Sequence, residues 1–246
     1  MTSVTIPDSV TNIDFCAFEG CTALTDITIG KGVTTYGSYA FNGCDSLTSV
    51  TIGSTAQQLN FIFYSGTSNI TNITIQDGVT SIPANFINNF TALENIYIPE
   101  SVTTIGQDAF DNNMLGTTLR MTVKDHEAGE TVNIINPGSR YFSGAELRFM
   151  TWVGDVDVTM TINEETGERS YSLVMPDHPV ELYSVYALVG DANQDDSLTL
   201  IDLSTLKAIL AGAPAEYGGV QLEACDVNGD NLNTLSDIQA LKKILA

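Results

Sequence analysis

The chain has 246 residues, room for one large or several small domains. Nine basic residues stand against thirty acidic ones, a formal net charge of −21. That balance argues strongly against nucleic acid, whose phosphates need Lys and Arg to neutralise them, and it disfavours an anionic membrane surface. No stretch reaches the about 18 apolar residues of a membrane-spanning helix, and Met1 runs straight into strand-like sequence without a signal peptide. The expectation is a piece of a longer chain.

From Thr2 the sequence repeats every 23 residues: Thr2–Leu24, Thr25–Leu47, Thr48–Ile70, Thr71–Leu93 and Glu94–Gly116. A period of this size marks a solenoid, in which each coil buries its apolar face only against its neighbours. The aligned columns name the core. They are Val4, Ile27, Val50, Ile73 and Ile96; Ile6, Ile29, Ile52, Ile75 and Ile98; Val10, Val33, Ala56, Val79 and Val102; Ile13, Tyr36, Leu59, Ile82 and Ile105; and Phe18, Phe41, Tyr64, Ile87 and Phe110. The T-x-I-x-I alternation predicts a short strand with its apolar side inward. Its outward positions are Thr5, Thr28, Thr51, Thr74 and Tyr97. A ladder of threonines there suits β geometry and equally forms a polar face for a ligand. The stretches Ala17-Phe18…Cys21…Leu24 and Ala40-Phe41…Cys44…Leu47 resemble the BspA-like leucine-rich repeat of bacterial surface proteins. That resemblance implies a right-handed solenoid with an adhesion or protein-interaction role. Coil one has no polar cap before it, so more repeats are expected upstream. Cys21 and Cys44 share a column one strand spacing apart, about 4.8 Å, where a disulfide is geometrically open to them. The same column holds Thr67, Phe90 and Asn113, which favours a packing position with free thiols. Cys16 lies off that column, and neither it nor Cys225 has metal-ligand spacing.

Residues 117–188 follow neither the repeat nor the pattern beyond it. Strand-like runs are Leu119–Lys124, Thr131–Ile135, Ala145–Val153, Val156–Ile162, Ser170–Met175 and Val180–Tyr186, with a hairpin turn at Glu164-Glu165-Thr166-Gly167. Gly129–Val132, Trp152 and Tyr171–Pro176 followed by Val180-Glu181-Leu182 resemble the small β repeat of the internalin B-repeat type, from which His178-Pro179 departs. Such modules serve as spacers. Tyr183, Tyr186 and Trp152 offer a carbohydrate-stacking face, although strand alternation favours the core for them.

Two twelve-residue segments follow, Asp191–Asp202 and Asp226–Asp237, each with oxygen-bearing side chains at positions 1, 3, 5, 9 and 12. Ca²⁺ takes six to eight oxygen ligands from such a loop. The candidate ligands are Asp191, Asn193, Asp195, the Ser197 carbonyl, Thr199 through a water, and Asp202; then Asp226, Asn228, Asp230, the Leu232 carbonyl, Thr234 and Asp237. Position 12 is Asp rather than Glu, and position 6 is Asp196 or Asn231 where a sharp turn wants Gly. Asp and Asn tolerate the left-handed conformation best after Gly. Each loop leads into a short helix, with Leu203, Leu206, Ile209 and Leu210, then Ile238, Leu241, Ile244 and Leu245, at helical spacing. The duplicated D-x-N-x-D-x-x-x-T-x-x-D closely resembles a type I dockerin of the cellulosome over about residues 189–246. The resemblance implies two calcium ions and a cohesin partner on a scaffoldin or anchoring protein. It also implies cohesin contacts at Leu200, Ile201, Lys207 and Ala208 and at Leu235, Ser236, Lys242 and Lys243. The halves differ, so two docking orientations should differ in energy.

No G-x-S-x-G, P-loop, H-E-x-x-H or dinucleotide fingerprint is present. A Cys16–His126 dyad is the one thiol–imidazole pair to weigh, and acids are too plentiful for counting to test a glycosidase pair. The expected architecture is therefore multidomain: a leucine-rich-repeat β solenoid (1–116), a small all-β module (117–188) and an all-α dockerin with paired EF-hand-like loops (189–246). The expected role is a non-catalytic, extracellular cellulosome component. The alternative is the C-terminal fragment of a cellulosomal hydrolase or protease whose catalytic module lies upstream.

Overall fold

In the repeats, the alternation of threonine and isoleucine yields the strands it predicts. A computed structural model describes residues 1–54, 59–63, 69–87, 89–113, 116–142, 145–163, 165–195, 197–211, 224–229 and 233–245. The chain forms two units, Met1–Phe142 with Thr151–Ser184, and Ser143–Met150 with Val185–Ala246. In the first, the coils supply β1 (Ser3–Ile6), β2 (Asn12–Ile13), β3 (Asp26–Ile29), β4 (Thr35–Tyr36), β5 (Ser49–Ile52), α1 (Asn60–Phe63), β6 (Asn72–Ile75), β7 (Ser81–Ile82), β8 (Asn95–Tyr97) and β9 (Thr104–Ile105). The longer strands pair in parallel with a register of 23, so Val4, Ile27, Val50, Ile73 and Ile96 stand side by side. The short strands pair separately, β2 with β4 and β7 with β9.

The ladder does not stop at residue 116. Strand β10 (Thr118–Val123) pairs in parallel with β8, Leu119 opposite Ile96, again 23 residues on. Leu119 and Met121 are buried and extend the two inner columns. The remaining strands are β11 (Thr131–Ile134), β12 (Arg140–Phe142), β13 (Ala145–Val153), β14 (Val158–Ile162), β15 (Arg169–Val174) and β16 (Val180–Leu188). Residues 180–183 of β16 pair antiparallel with β10. β11, β15 and β14 form a separate antiparallel sheet. The strands expected between 117 and 188 are thus present, but they divide between the two units instead of forming one of their own. Trp152 is buried with its indole N–H donated to the Ile135 carbonyl at 2.8 Å, so it is unavailable for stacking on a sugar.

Two turn positions in coils one, two, four and five are left-handed. Cys16, Tyr39, Asn85 and Asp108 have φ between 52° and 61°, and Gly20, Gly43, Asn89 and Asn112 between 54° and 71°. Both sets are spaced by multiples of 23. Gly, Asn and Asp adopt this conformation most readily. Cys16 and Tyr39 are the exceptions, and the turn role explains why Cys16 lies off the cysteine column.

Aromatic rings bind successive coils. Phe18 stacks on Phe41 (5.0 Å between centroids, 7° between planes), Phe41 on Phe63 (5.4 Å), and Phe63 meets Phe90 edge-on at 6.1 Å. The expected column ran through Tyr64 and Ile87. α1 brings Phe63 into the stack, and Phe90 enters from the cysteine column. Tyr64, with Ala56 and Thr67, lies outside the described residues. Cys21 and Cys44 are free thiols. Cys44 Sγ donates to the Phe18 carbonyl at 3.3 Å, and burial, then Cys21, pushes its pKa up to about 11.

The second unit contains α2 (Leu200–Leu210) and α3 (Leu235–Ile244). Val189, Ala192, Leu203, Leu206, Cys225, Val227, Ile238 and Leu241 form its core, with Ile209, Leu210 and Leu245 packed against it. Ile244, expected in the stripe, is exposed. Met150, Ala187 and Ala224 form a second small cluster, with Val185 packed on it.

Because Phe41 lies at the centre of the ring stack and is fully buried, Phe41→Ala should destabilise the solenoid by about 3–5 kcal/mol. Phe15→Ala, at an exposed ring, should stay within about 0.5 kcal/mol. Urea unfolding of the two variants measures the contrast.

Candidate calcium loops and docking face

Position 12 of each loop does two structural jobs at once. Thr199 is the N-cap of α2 and Asp202 the third helical residue, and together they form a reciprocal capping box. Asp202 Oδ2 accepts from the Thr199 N–H (2.7 Å) and Oδ1 from the Asn193 N–H (3.3 Å). Asp237 repeats this with Thr234 (2.8 Å) and Asn228 (3.1 Å). Both carboxylates are fully buried. Each therefore ties the start of its loop to the start of its helix. The capping role of Thr199 and Thr234 escaped the reading of the loops as ligand sets, although T-x-x-D before an apolar run carries that signal.

In the first loop, carboxylate oxygens of Asp191, Asp195 and Asp202 lie within 4.8 Å of one another. Asp191 is 2% exposed and Asp202 0%. Asp191 Oδ1 accepts from the Asp195 N–H at 3.1 Å, and Asn193 Oδ1 from the same group at 3.3 Å. Asp195 Oδ1 accepts from the Ser197 N–H at 3.0 Å. Burying like charges at this spacing is costly without a cation. An all-oxygen donor set of three carboxylates and an amide fits Ca²⁺. The left-handed turn falls at position 4, Gln194 (φ 59°) and Gly229 (φ 77°). Asp196 and Asn231, expected to take it, lie outside the described residues, as do the candidate ligands Asp230 and Leu232. In the second loop Asp226 is buried, and its Oδ1 accepts from the Gly229 N–H at 3.0 Å. Cys225 is fully buried beside this set. Burial, then the carboxylates of Asp237, Asp202 and Asp191, pushes its thiol up to about 11.

All eight expected contact residues are exposed: Leu200, Ile201, Lys207 and Ala208 on α2, and Leu235, Ser236, Lys242 and Lys243 on α3. Leu200, Ile201 and Leu235 are 73%, 58% and 72% exposed. These three are therefore surface residues and not core, a point their spacing alone left open.

The outward threonine ladder continues beyond Tyr97 into Arg120 and Tyr183, in register. Arg120 donates to the Tyr97 hydroxyl at 2.9 Å, and its guanidinium lies 4.5 Å from the centre of the Tyr183 ring. His126 faces Glu130 (3.1 Å) and Glu100 (3.7 Å). Cys16 hydrogen-bonds Glu19, which with burial raises its pKa to about 11. Such a thiol stays protonated and is a poor nucleophile.

The family descriptions "BspA type Leucine rich repeat region", in six copies, and "Dockerin type I domain" match residues 1–116 and 189–246. Among solved structures, a leucine rich cell surface protein from Faecalibacterium prausnitzii A2-165 is 27% identical, covering 61% of this chain and 43% of that one, with a TM-score of 0.31. A leucine-rich repeat protein from Bacteroides ovatus ATCC 8483 is 22% identical, covering 50% and 42%, with a TM-score of 0.32. The T. pallidum Leucine Rich Repeat protein is 18% identical, covering 45% and 57%, with a TM-score of 0.28. The chain thus spans about half the length of each of these proteins, or less. No curated protein matches it. Neither matched domain is catalytic, and no described helix is long and apolar enough to cross a membrane. The chain is multidomain, a BspA-type leucine-rich repeat solenoid followed by a type I dockerin, the calcium-binding and cohesin-binding module of cellulosomes.

Proposed function

We propose that the chain is a non-catalytic, secreted component of a cellulosome on the bacterial surface. Its C-terminal module plugs into a cohesin of a scaffoldin or anchoring protein, and its repeats hold a protein or glycan. The carrying observation is the pairing of buried oxygen-lined loops with exposed apolar residues on the first turn of each following helix. Two calcium ions would be held, one per loop. Asp191, Asn193, Asp195, the Ser197 carbonyl, Thr199 through a water, and Asp202 hold the first. Asp226, Asn228, Asp230, the Leu232 carbonyl, Thr234 and Asp237 hold the second. A bound ion would supply the positive charge that offsets the burial of Asp191 and Asp202 in one loop and of Asp226 and Asp237 in the other. The chain's own residues orient the helices, because Asp202 and Asp237 are at once loop closers and helix caps.

Leu200, Ile201 and Leu235 would anchor the cohesin, with Ser236 and Ala208 beside them and Lys207, Lys242 and Lys243 steering by charge. For the repeats, the outward face from Thr5 to Tyr97 is polar and carries little charge, and it suits an extended glycan or a protein strand.

Binding to the folded state alone stabilises by about 4 kcal/mol at a thousand times Kd. Chelation should therefore lower the helical circular dichroism and open Cys225 to alkylation, and Asp191→Ala with Asp226→Ala should do the same in calcium. Unchanged helicity on chelation would sink the calcium reading.

Truncating a buried anchor typically costs about 2 kcal/mol or more, and a rim contact little. Titration calorimetry against cohesins should therefore show a loss near that size for Ile201→Ala and a small one for Ser236→Ala. Equal, negligible losses would place the docking surface elsewhere.

Thr51→Lys with Thr74→Lys leaves the inner columns intact. The pair should melt like the wild type and lose any ligand of the ladder face in a glycan-array screen. Retained binding would move that site, and hydrolysis of a plant polysaccharide by the chain would overturn the non-catalytic reading.

A further inference from the structure

The two loops satisfy the same backbone atom by different means. In the first, the carbonyl of position 1, Asp191, accepts a hydrogen bond from the side-chain amide of position 4, Gln194, at 2.7 Å. In the second, position 4 is Gly229 and has no side chain to offer. The carbonyl of Asp226 instead accepts from Arg148 Nη1, also at 2.7 Å, and Arg148 lies on β13, seventy-eight residues away in sequence. The guanidinium borders the position a side chain at Gly229 would take: a Cβ built there lies 3.6 Å from Arg148 Nη2, in van der Waals contact.

Gln194 is neutral and Arg148 is not. Arg148 Nη1 lies 3.5 Å from Asp226 Oδ2, with the two side chains 15% and 5% exposed. Its Nε lies 3.6 Å from Glu146. The same strand is held to the module by a backbone bond from the Val189 N–H to the Glu146 carbonyl at 2.9 Å. A permanent positive charge thus sits against the first residue of the second loop.

We propose that Arg148 is the fourth-position side chain of the second loop, supplied from β13, and that its charge makes this loop the weaker calcium site of the pair. The proposal rests on the calcium reading above. Arg148 is a positioning residue: it holds the Asp226 carbonyl where Gln194 holds that of Asp191. Its charge also competes with an incoming cation for the Asp226 carboxylate. The loop keeps its shape when calcium is scarce, at the cost of affinity. A unit charge one carboxylate away from a divalent cation changes its affinity about tenfold even at the dielectric of water.

The test is calcium titration calorimetry on the full chain stripped of metal, with Asp226→Ala assigning the second-loop step. Arg148→Gln removes the charge and should tighten that step about tenfold, while Arg148→Lys should leave it weak. A purely structural role predicts the opposite sign, since lost packing loosens calcium. Unchanged or weaker second-loop binding in Arg148→Gln overturns the proposal. If that variant does not fold in saturating calcium, Arg148→Met, which keeps an apolar stem and removes the charge, should tighten the step, and no change overturns the proposal. No calcium uptake by the wild-type chain would sink the calcium reading itself, a result distinct from uptake with an unaltered second step.

Discussion

Besides the strand ladders, the opening residues of coils two, three and four are pinned to the coil before through one carbonyl each. The carbonyls of Thr2, Thr25 and Thr48 each accept the backbone N–H of the threonine 23 residues later, at 2.7–2.9 Å. Each accepts that threonine's hydroxyl as well, at 2.9–3.3 Å. This paired donation to one acceptor accounts for the threonine that opens coils two to four, whereas coil five opens on Glu94, which gives the Thr71 carbonyl its backbone N–H. The pairing also suits the register that places each inward valine or isoleucine beside its counterpart. A slip of one residue would turn the inner face outward. The columns, the ring stack and the left-handed turns all inherit their spacing from it.

The second unit rests on a different constraint, the buried carboxylate. Asp202 and Asp237 each spend one oxygen on the start of a helix and one on the start of a loop. Electrostatics and chain geometry are therefore inseparable there: whatever neutralises the carboxylates also sets the helix directions. Those directions decide where Leu200, Ile201 and Leu235 face.

Much of this was legible because periodicity reports burial directly. The inner strand columns and the paired acidic loops needed only alignment of the chain with itself. Three things were not legible, for physical reasons. The β10 strand reads T-L-R-M-T-V and lacks the repeat's isoleucines, so its continuation of the ladder appears only through backbone pairing. The entry of Phe63 into the ring stack depends on α1, a four-residue turn too short to carry a period. The partnership of Arg148 with Asp226 spans distant segments, and no local pattern encodes it. Leu200, Ile201 and Leu235 were ambiguous for a simpler reason: apolar side chains at helical spacing do not say which side of the helix is wet.

The way β10 ends the solenoid bears on how such a chain changes length. On one edge it presents a register of 23 to β8, and on the other an antiparallel register to β16. The rest of the β structure in that unit is matched to β10 and to coil five, where Tyr141 of β12 donates its N–H to the Asp111 carboxylate and accepts the Asn112 N–H at its carbonyl. Since the coils share their inner strand columns, coils can be duplicated or deleted upstream of coil five without refitting the closing strands. The reach of the repeat arm is thus a parameter that gene duplication can adjust, one 23-residue step at a time.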